Sequence, residues 1–171
     1  MKKLLVVIIL VVSAGAAMAQ SKIAHVNSQA LLDTLPSRKV AIKKLQQFEA
    51  DGIKELQAMQ LDYQTALNKY KADVAAVTLT PVMRQIAEEK LIKKEEALQD
   101  RDQSLQAEMQ AYSNELNAPI LKMLQDAVKI VSDRKKIDYV IDVSVALIAN
   151  GEDLTKEVIV ELLKLDAAAM K

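Results

Sequence analysis

The chain has 171 residues, with 23 basic and 23 acidic side chains; 51% of it is apolar but only 3% aromatic, and it carries three Gly, three Pro, one His and no Cys. This composition excludes a disulfide framework, a thiol nucleophile, a Cys-based zinc site, a His pair and a Gly-rich phosphate loop, and so ATP-driven action. So few Gly argue against an all-β chain with many tight turns, whereas abundant Ala, Leu, Lys, Glu and Gln favour long helices.

Met1-Lys2-Lys3, the apolar run Leu4 to Val12 and the small residues up to Ala17-Met18-Ala19 read as a secretory leader, residues 1–19, cleaved after Ala19. The run is too short to span a bilayer. Export into a bacterial periplasm is the expected destination. Losing Lys2 and Lys3 leaves 21 basic against 23 acidic residues, a net charge of about −2, and nucleic acid is not an expected partner.

Lys22 to Val26 reads as a strand, and Asn27-Ser28 as the cap of a short helix beginning at Ala30. Pro36 breaks it, and Ser37 is expected to cap the next helix, which runs to about Val77. Leu56, Tyr63, Tyr70 and Val77 recur every seven residues; Ile53, Gln60, Leu67 and Val74 form the companion row. Two such rows make one coiled-coil seam, and about 41 residues extend roughly 60 Å.

Thr78 to Pro81 interrupts the pattern, with Thr80 as cap and Pro81 in the first turn of a second helix towards Asp133. Its rows are Leu91, Leu98, Leu105 and Tyr112, and Glu95, Asp102, Met109, Leu116 and Met123. Glu95 and Asp102 thin the seam and are expected to let it bend. Pro119 predicts a kink or break near Asn117. Arg134-Lys135-Lys136 closes the helix, Asp138 to Val143 and Val145 to Ala149 read as strands, and Asn150-Gly151 as a turn. Asp153 or Thr155 caps a last amphipathic helix.

The expected fold is α+β, mostly α. Residues 20–36 and 120–171 form a discontinuous oligomerisation body, and residues 37–119 a helical-hairpin arm, an antiparallel coiled coil with its tip near 78–81. So small a body is marginal alone. The apolar side chains Ile23, Val26, Val140, Ile141, Val143, Leu147 and Ile148 are therefore assigned to oligomerisation, with strands of sister chains associating. His25 has no evident partner and reads as structural. Asp138 and Asp142 share a strand face, where polar side chains facing water are ordinary. The basic triplet at 134–136 suits a helix C-terminus. No catalytic, metal or cofactor site emerges, and the chain is read as non-enzymatic.

Lys22-Ile23-Ala24-His25-Val26-Asn27, the long helical middle, Ile137-Asp138-Tyr139-Val140-Ile141-Asp142 and Asp153-Leu154-Thr155, in that order after a leader, resemble the Skp/OmpH family of periplasmic chaperones over essentially the whole chain. The resemblance implies a homotrimer with a β-barrel-like body and three hairpin tentacles around a cavity. There, unfolded outer-membrane proteins are held without ATP. Family members are often strongly basic. The near-neutral charge here leaves at most weak contact with lipopolysaccharide or the membrane surface. Candidate client contacts are Met59, Met83 and Met109, since Met adapts to many shapes, and the tip residues Val77, Leu79 and Val82. A structural coiled-coil spacer of the envelope is the alternative reading, with Met59 and Met109 then simply filling the seam.

Overall fold

The computed structural model describes residues 21–170; the leader expected at 1–19 lies outside the described residues. Strand β1 (Ile23–Val26) is followed by helices α1 (Ser28–Asp33), α2 (Pro36–Ala75) and α3 (Pro81–Lys135), strand β2 (Tyr139–Asp142), a 3-10 turn (Val143–Val145), strand β3 (Glu152–Asp153) and helix α4 (Thr155–Ala169). The fold is α+β and predominantly helical, with strands supplied from the two ends of the chain. The described residues form two compact units: one holds residues 21–38 together with 120–170, the other Lys39–Pro119.

In the first unit the sheet order is β2-β1-β3 and both pairings are parallel. Parallel neighbours need long crossovers, and the β1-to-β2 crossover contains both long helices. Alternation along β1 sends Ala24 and Val26 inward, while Ile23 stays exposed. The buried core is completed by Leu31, Leu35, Val131, Leu154, Val158 and Leu162.

Local hydrogen bonds fix the ends of these elements. Asn27 Oδ1 accepts from the Ala30 amide at 3.0 Å, capping α1 as expected. Asp153 Oδ1 accepts from both the amide and the hydroxyl of Thr155, at 2.9 and 2.5 Å, at the start of α4. Thr155 Oγ1 in turn accepts from the Asn27 amide at 3.0 Å, tying this turn to the end of β1.

Three expectations need correction. First, α2 starts at Pro36, so Ser37 sits inside the first turn and does not cap it. The Ser37 amide donates instead to Asp166 Oδ2 of α4 at 3.3 Å, a carboxylate 1% exposed. Second, no break occurs near Asn117: α3 runs through Pro119. Glu115, whose carbonyl loses its partner, and Pro119 are both exposed, where water can serve that carbonyl. The Asn117 side chain donates through Nδ2 to the Ser113 carbonyl at 2.8 Å. Third, Val145 to Ala149 is not a strand. Asp142 Oδ1 accepts from the Ser144 amide at 2.8 Å and turns the chain into the 3-10 segment. The third strand is Glu152–Asp153, paired with Ala24 and His25.

In the second unit, α2 meets α3 through a ladder of contacts whose residue numbers fall along α2 as they rise along α3. Tyr70 meets Glu88, Asp62 meets Lys94, Glu55 meets Arg101, Gly52 meets Leu105 and Phe48 meets Tyr112. The Phe48 and Tyr112 ring centres are 5.2 Å apart. Leu105 is buried, as its row predicts, against the bare backbone of Gly52. Thr80 Oγ1 accepts from the Met83 amide at 3.3 Å, capping α3.

Candidate interaction surfaces

In the sheet unit, register sets Ile23 beside Tyr139 and His25 beside Ile141. Ile23, Tyr139 and Ile141 are all exposed, so one face of the sheet carries uncovered apolar side chains. The 3-10 turn adds Val145 and the loop after it Leu147 and Ile148, with Leu147 fully exposed. Ile23, His25, Ile141, Ile148 and Gly151 line a small cavity of about 90 Å³ on this side. Of the residues expected to join sister chains, Ile23, Ile141, Leu147 and Ile148 are open to a neighbour, and Val140 and Val143 are half-buried. Val26 is already committed to this chain's own core. Among the described residues strand β2 also has an unpaired edge, since it pairs with β1 alone.

The polar groups nearby are occupied with structure. Asp138 Oδ2 accepts from the Lys22 amide at 2.8 Å. The Ser28 hydroxyl and then the Ser144 amide hold the Asp142 carboxyl below the usual carboxylate range. The Thr155 hydroxyl and amide do the same for Asp153. Hydrogen bonds to Glu152 and Glu157, at 2.7 and 2.6 Å, raise the Lys135 ammonium above its ordinary value. Arg134 pairs with Glu161 at 2.9 Å. Two of the three basic residues at 134–136 are thus engaged within the chain. His25 Nδ1 is buried and has no hydrogen-bond partner among the described residues.

In the helical unit, the turn between α2 and α3 is apolar and open. Val77 is 87% exposed, and Val82 and Met83 are exposed beside it; Leu79 is half-buried. Ile86 belongs to the same exposed group, four residues on from Val82, a helical spacing that composition alone did not single out. Val77 also has a φ of 55°. Its amide donates to the Val74 carbonyl at 3.1 Å and the Thr78 amide to the Asp73 carbonyl at 3.2 Å. This is the Schellman ending, whose left-handed residue is usually Gly. Met59 and Met109 are both half-buried.

A trough of about 520 Å³ opens further along this unit, lined by Ile53, Gln57, Gln60, Leu61 and Gln64 of α2 and by Leu98, Gln99 and Asp102 of α3. Gln60 and Asp102, two of the three polar members of the seam rows, are among them, whereas Glu95 is not. Beside the trough, Arg101 Nε donates to Glu55 at 3.0 Å and Lys94 pairs with Asp62. Towards the turn, the hydrogen bond that the Tyr70 hydroxyl donates to Glu88 raises the phenol above its usual range. Among the described residues there is no cluster of three or more His, Asp or Glu side chains able to hold a metal, and no helix long and apolar enough to cross a membrane.

The family model described as outer membrane protein (OmpH-like) matches residues 22–162. Among curated proteins, the chaperone protein Skp of Photorhabdus laumondii is 31% identical over 164 residues, covering 93% of this chain and 98% of its own length. Skp of Yersinia pseudotuberculosis is 39% identical over 142 residues, covering 82% and 85%. Skp of Vibrio cholerae is 29% identical over 155 residues, covering 88% of both. Among solved structures, an OmpH-like protein from Caulobacter crescentus superposes with a TM-score of 0.73 at 18% identity, over 88% of this chain and 86% of that one, a likeness of fold.

Proposed function

Because this chain belongs to the OmpH-like outer membrane protein family, we propose that it is a periplasmic chaperone that holds unfolded outer-membrane proteins without ATP. The likeness to Skp chaperones along nearly their whole length is the observation that carries this reading. These relatives are chaperones rather than enzymes.

Physical chemistry says what such a molecule needs. An unfolded barrel protein exposes alternating apolar side chains that aggregate in water. Many weak contacts hold it reversibly, since each breaks easily while their sum is large. The open apolar turn at Val77, Leu79, Val82 and Met83 supplies contacts of this kind; Met59 and Met109, half-buried, add soft surface along the antiparallel helices. In this reading three chains associate through the uncovered sheet face, with Ile23, Ile141, Leu147 and Ile148 at the contact and Val140 and Val143 beside them. The leader is cleaved after Ala19 during export.

The test is light scattering during dilution of a urea-denatured outer-membrane protein, with and without the mature chain and with no nucleotide. Suppressed scattering supports a holdase. Unchanged scattering from a folded, oligomeric chain favours an envelope spacer instead.

A further inference from the structure

Ile53, Gln57, Gln60 and Gln64 follow one another on α2 at steps of four, three and four, so they share one helix face. Leu98, Gln99 and Asp102 of α3 close the other wall of the same trough. It lies where the seam loses its packing: Gln60 occupies a row position that otherwise holds Ile53 and Leu67, and Leu61 and Ile53 are exposed at its rim, the former at 65%. From Ile53 to Gln64 the helix rises roughly 16 Å, the length of about five residues of extended chain.

The chemistry of the walls is selective. Glu55 is paired with Arg101, Asp62 with Lys94, and Asp102 accepts from Gln106 at 3.4 Å. What faces the trough is therefore apolar carbon, amide and one engaged carboxylate. A glutamine amide is both donor and acceptor, which matches the N–H and C=O groups an unpaired strand leaves open. An acidic segment placed there would lose hydration and meet the like charge of Asp102, and a basic one would find that single carboxylate as its counter-charge on the walls, Glu55 and Asp62 being already paired.

We propose that this trough docks one uncharged, extended segment with alternating apolar and polar side chains, the pattern of a membrane β-strand before insertion. The proposal rests on the holdase reading above and assigns it a specific contact site. Apolar side chains of the segment lie against Ile53, Leu61 and Leu98, and its backbone bonds the amides of Gln57, Gln60 and Gln64.

The experiment titrates a fluorescent ten-residue peptide of alternating Val or Tyr with Ser or Thr into the full mature chain. Two variants are compared after their helical content is verified: Gln60→Lys with Leu61→Lys, and Gln57→Ala with Gln60→Ala and Gln64→Ala. A loss of affinity of fivefold or more in both is expected, together with at least fivefold weaker binding of a peptide carrying Lys and Glu at the polar positions. A smaller loss in either variant, or equal binding of the charged peptide, overturns the trough as a docking site. Protection of a refolding outer-membrane protein is read on the same samples. If the native chain protects while the peptide is indifferent to the variants, the trough alone is wrong. If the native chain does not protect, the holdase reading is wrong and the trough falls with it.

Discussion

Gly52 faces Leu105 so closely that a Cβ at position 52 would stand 2.3 Å from Leu105 Cδ1 and 3.1 Å from its Cγ. Leu105 is buried and has little room to withdraw. Elsewhere in a helix, Gly→Ala gains about 1 kcal/mol; overpacking a filled site loses about 1–3 kcal/mol. Gly52→Ala should therefore lower the unfolding midpoint in the native chain. Leu105→Ala alone should cost about 2–5 kcal/mol, and in that background Gly52→Ala should become stabilising. Urea unfolding of the four chains checks the change of sign; the same sign in both backgrounds contradicts the close approach.

Val77 holds a left-handed conformation that a β-branched side chain disfavours, and it gains little burial in return. Val77→Gly should stabilise the chain by about 1 kcal/mol. If Val77 also touches clients, the same variant should suppress aggregation less well than the native chain. Thermal unfolding and light scattering on one preparation measure both effects. Lower thermal stability would show that Val77 packs against something.

Asp166 is the acceptor that the first turn of α2 uses in place of a local cap. Removing it leaves the part-buried Ser37 amide without that partner. Asp166→Ala should destabilise the sheet unit by about 1–2 kcal/mol, with Asp166→Asn, which keeps an acceptor, losing less. Chemical denaturation ranks the three; equal stability of the Ala variant and the native chain refutes the role.

Acid should weaken the fold through Asp142 and Asp153. Both carboxyls lie below their ordinary value of 3.8, chiefly through the hydroxyls of Ser28 and Thr155. The unfolded chain then binds protons that the folded chain does not, so their contribution is complete above the ordinary value and is lost as pH falls through the depressed one. Stability should drop below about pH 4, and Asp153→Asn should flatten that drop. An unaltered slope in the variant would assign the acid sensitivity elsewhere.

What the sequence revealed follows from how local each interaction is. The Asn27 and Thr80 caps and the start of α3 at Pro81 depend on neighbours a few residues away, and the seven-residue row through Leu105 marks it for burial although its partner Gly52 lies on the other helix, so spacing alone exposes them. The cap of α2 was hidden because Asp166 lies 129 positions from Ser37. Strand β3 was hidden because Glu152 and Asp153 have no strand preference of their own and are ordered by pairing with Ala24 and His25. Val145 to Ala149 has the composition of a strand, yet the Asp142 side chain diverts the backbone just before it. The trough appeared in the sequence only as two of the three polar interruptions in the rows, Gln60 and Asp102 but not Glu95; its glutamine wall needs both helices in place.

In the proposed function, several copies of this chain together hold an unfolded guest. The most direct test is the native mass of the species formed when a denatured outer-membrane protein is diluted, without nucleotide, into the mature chain. A soluble complex of three chains with bound client is expected, lost when Ile141 and Leu147 are both changed to Asp. Single chains in solution, with the client in the pellet, would contradict it.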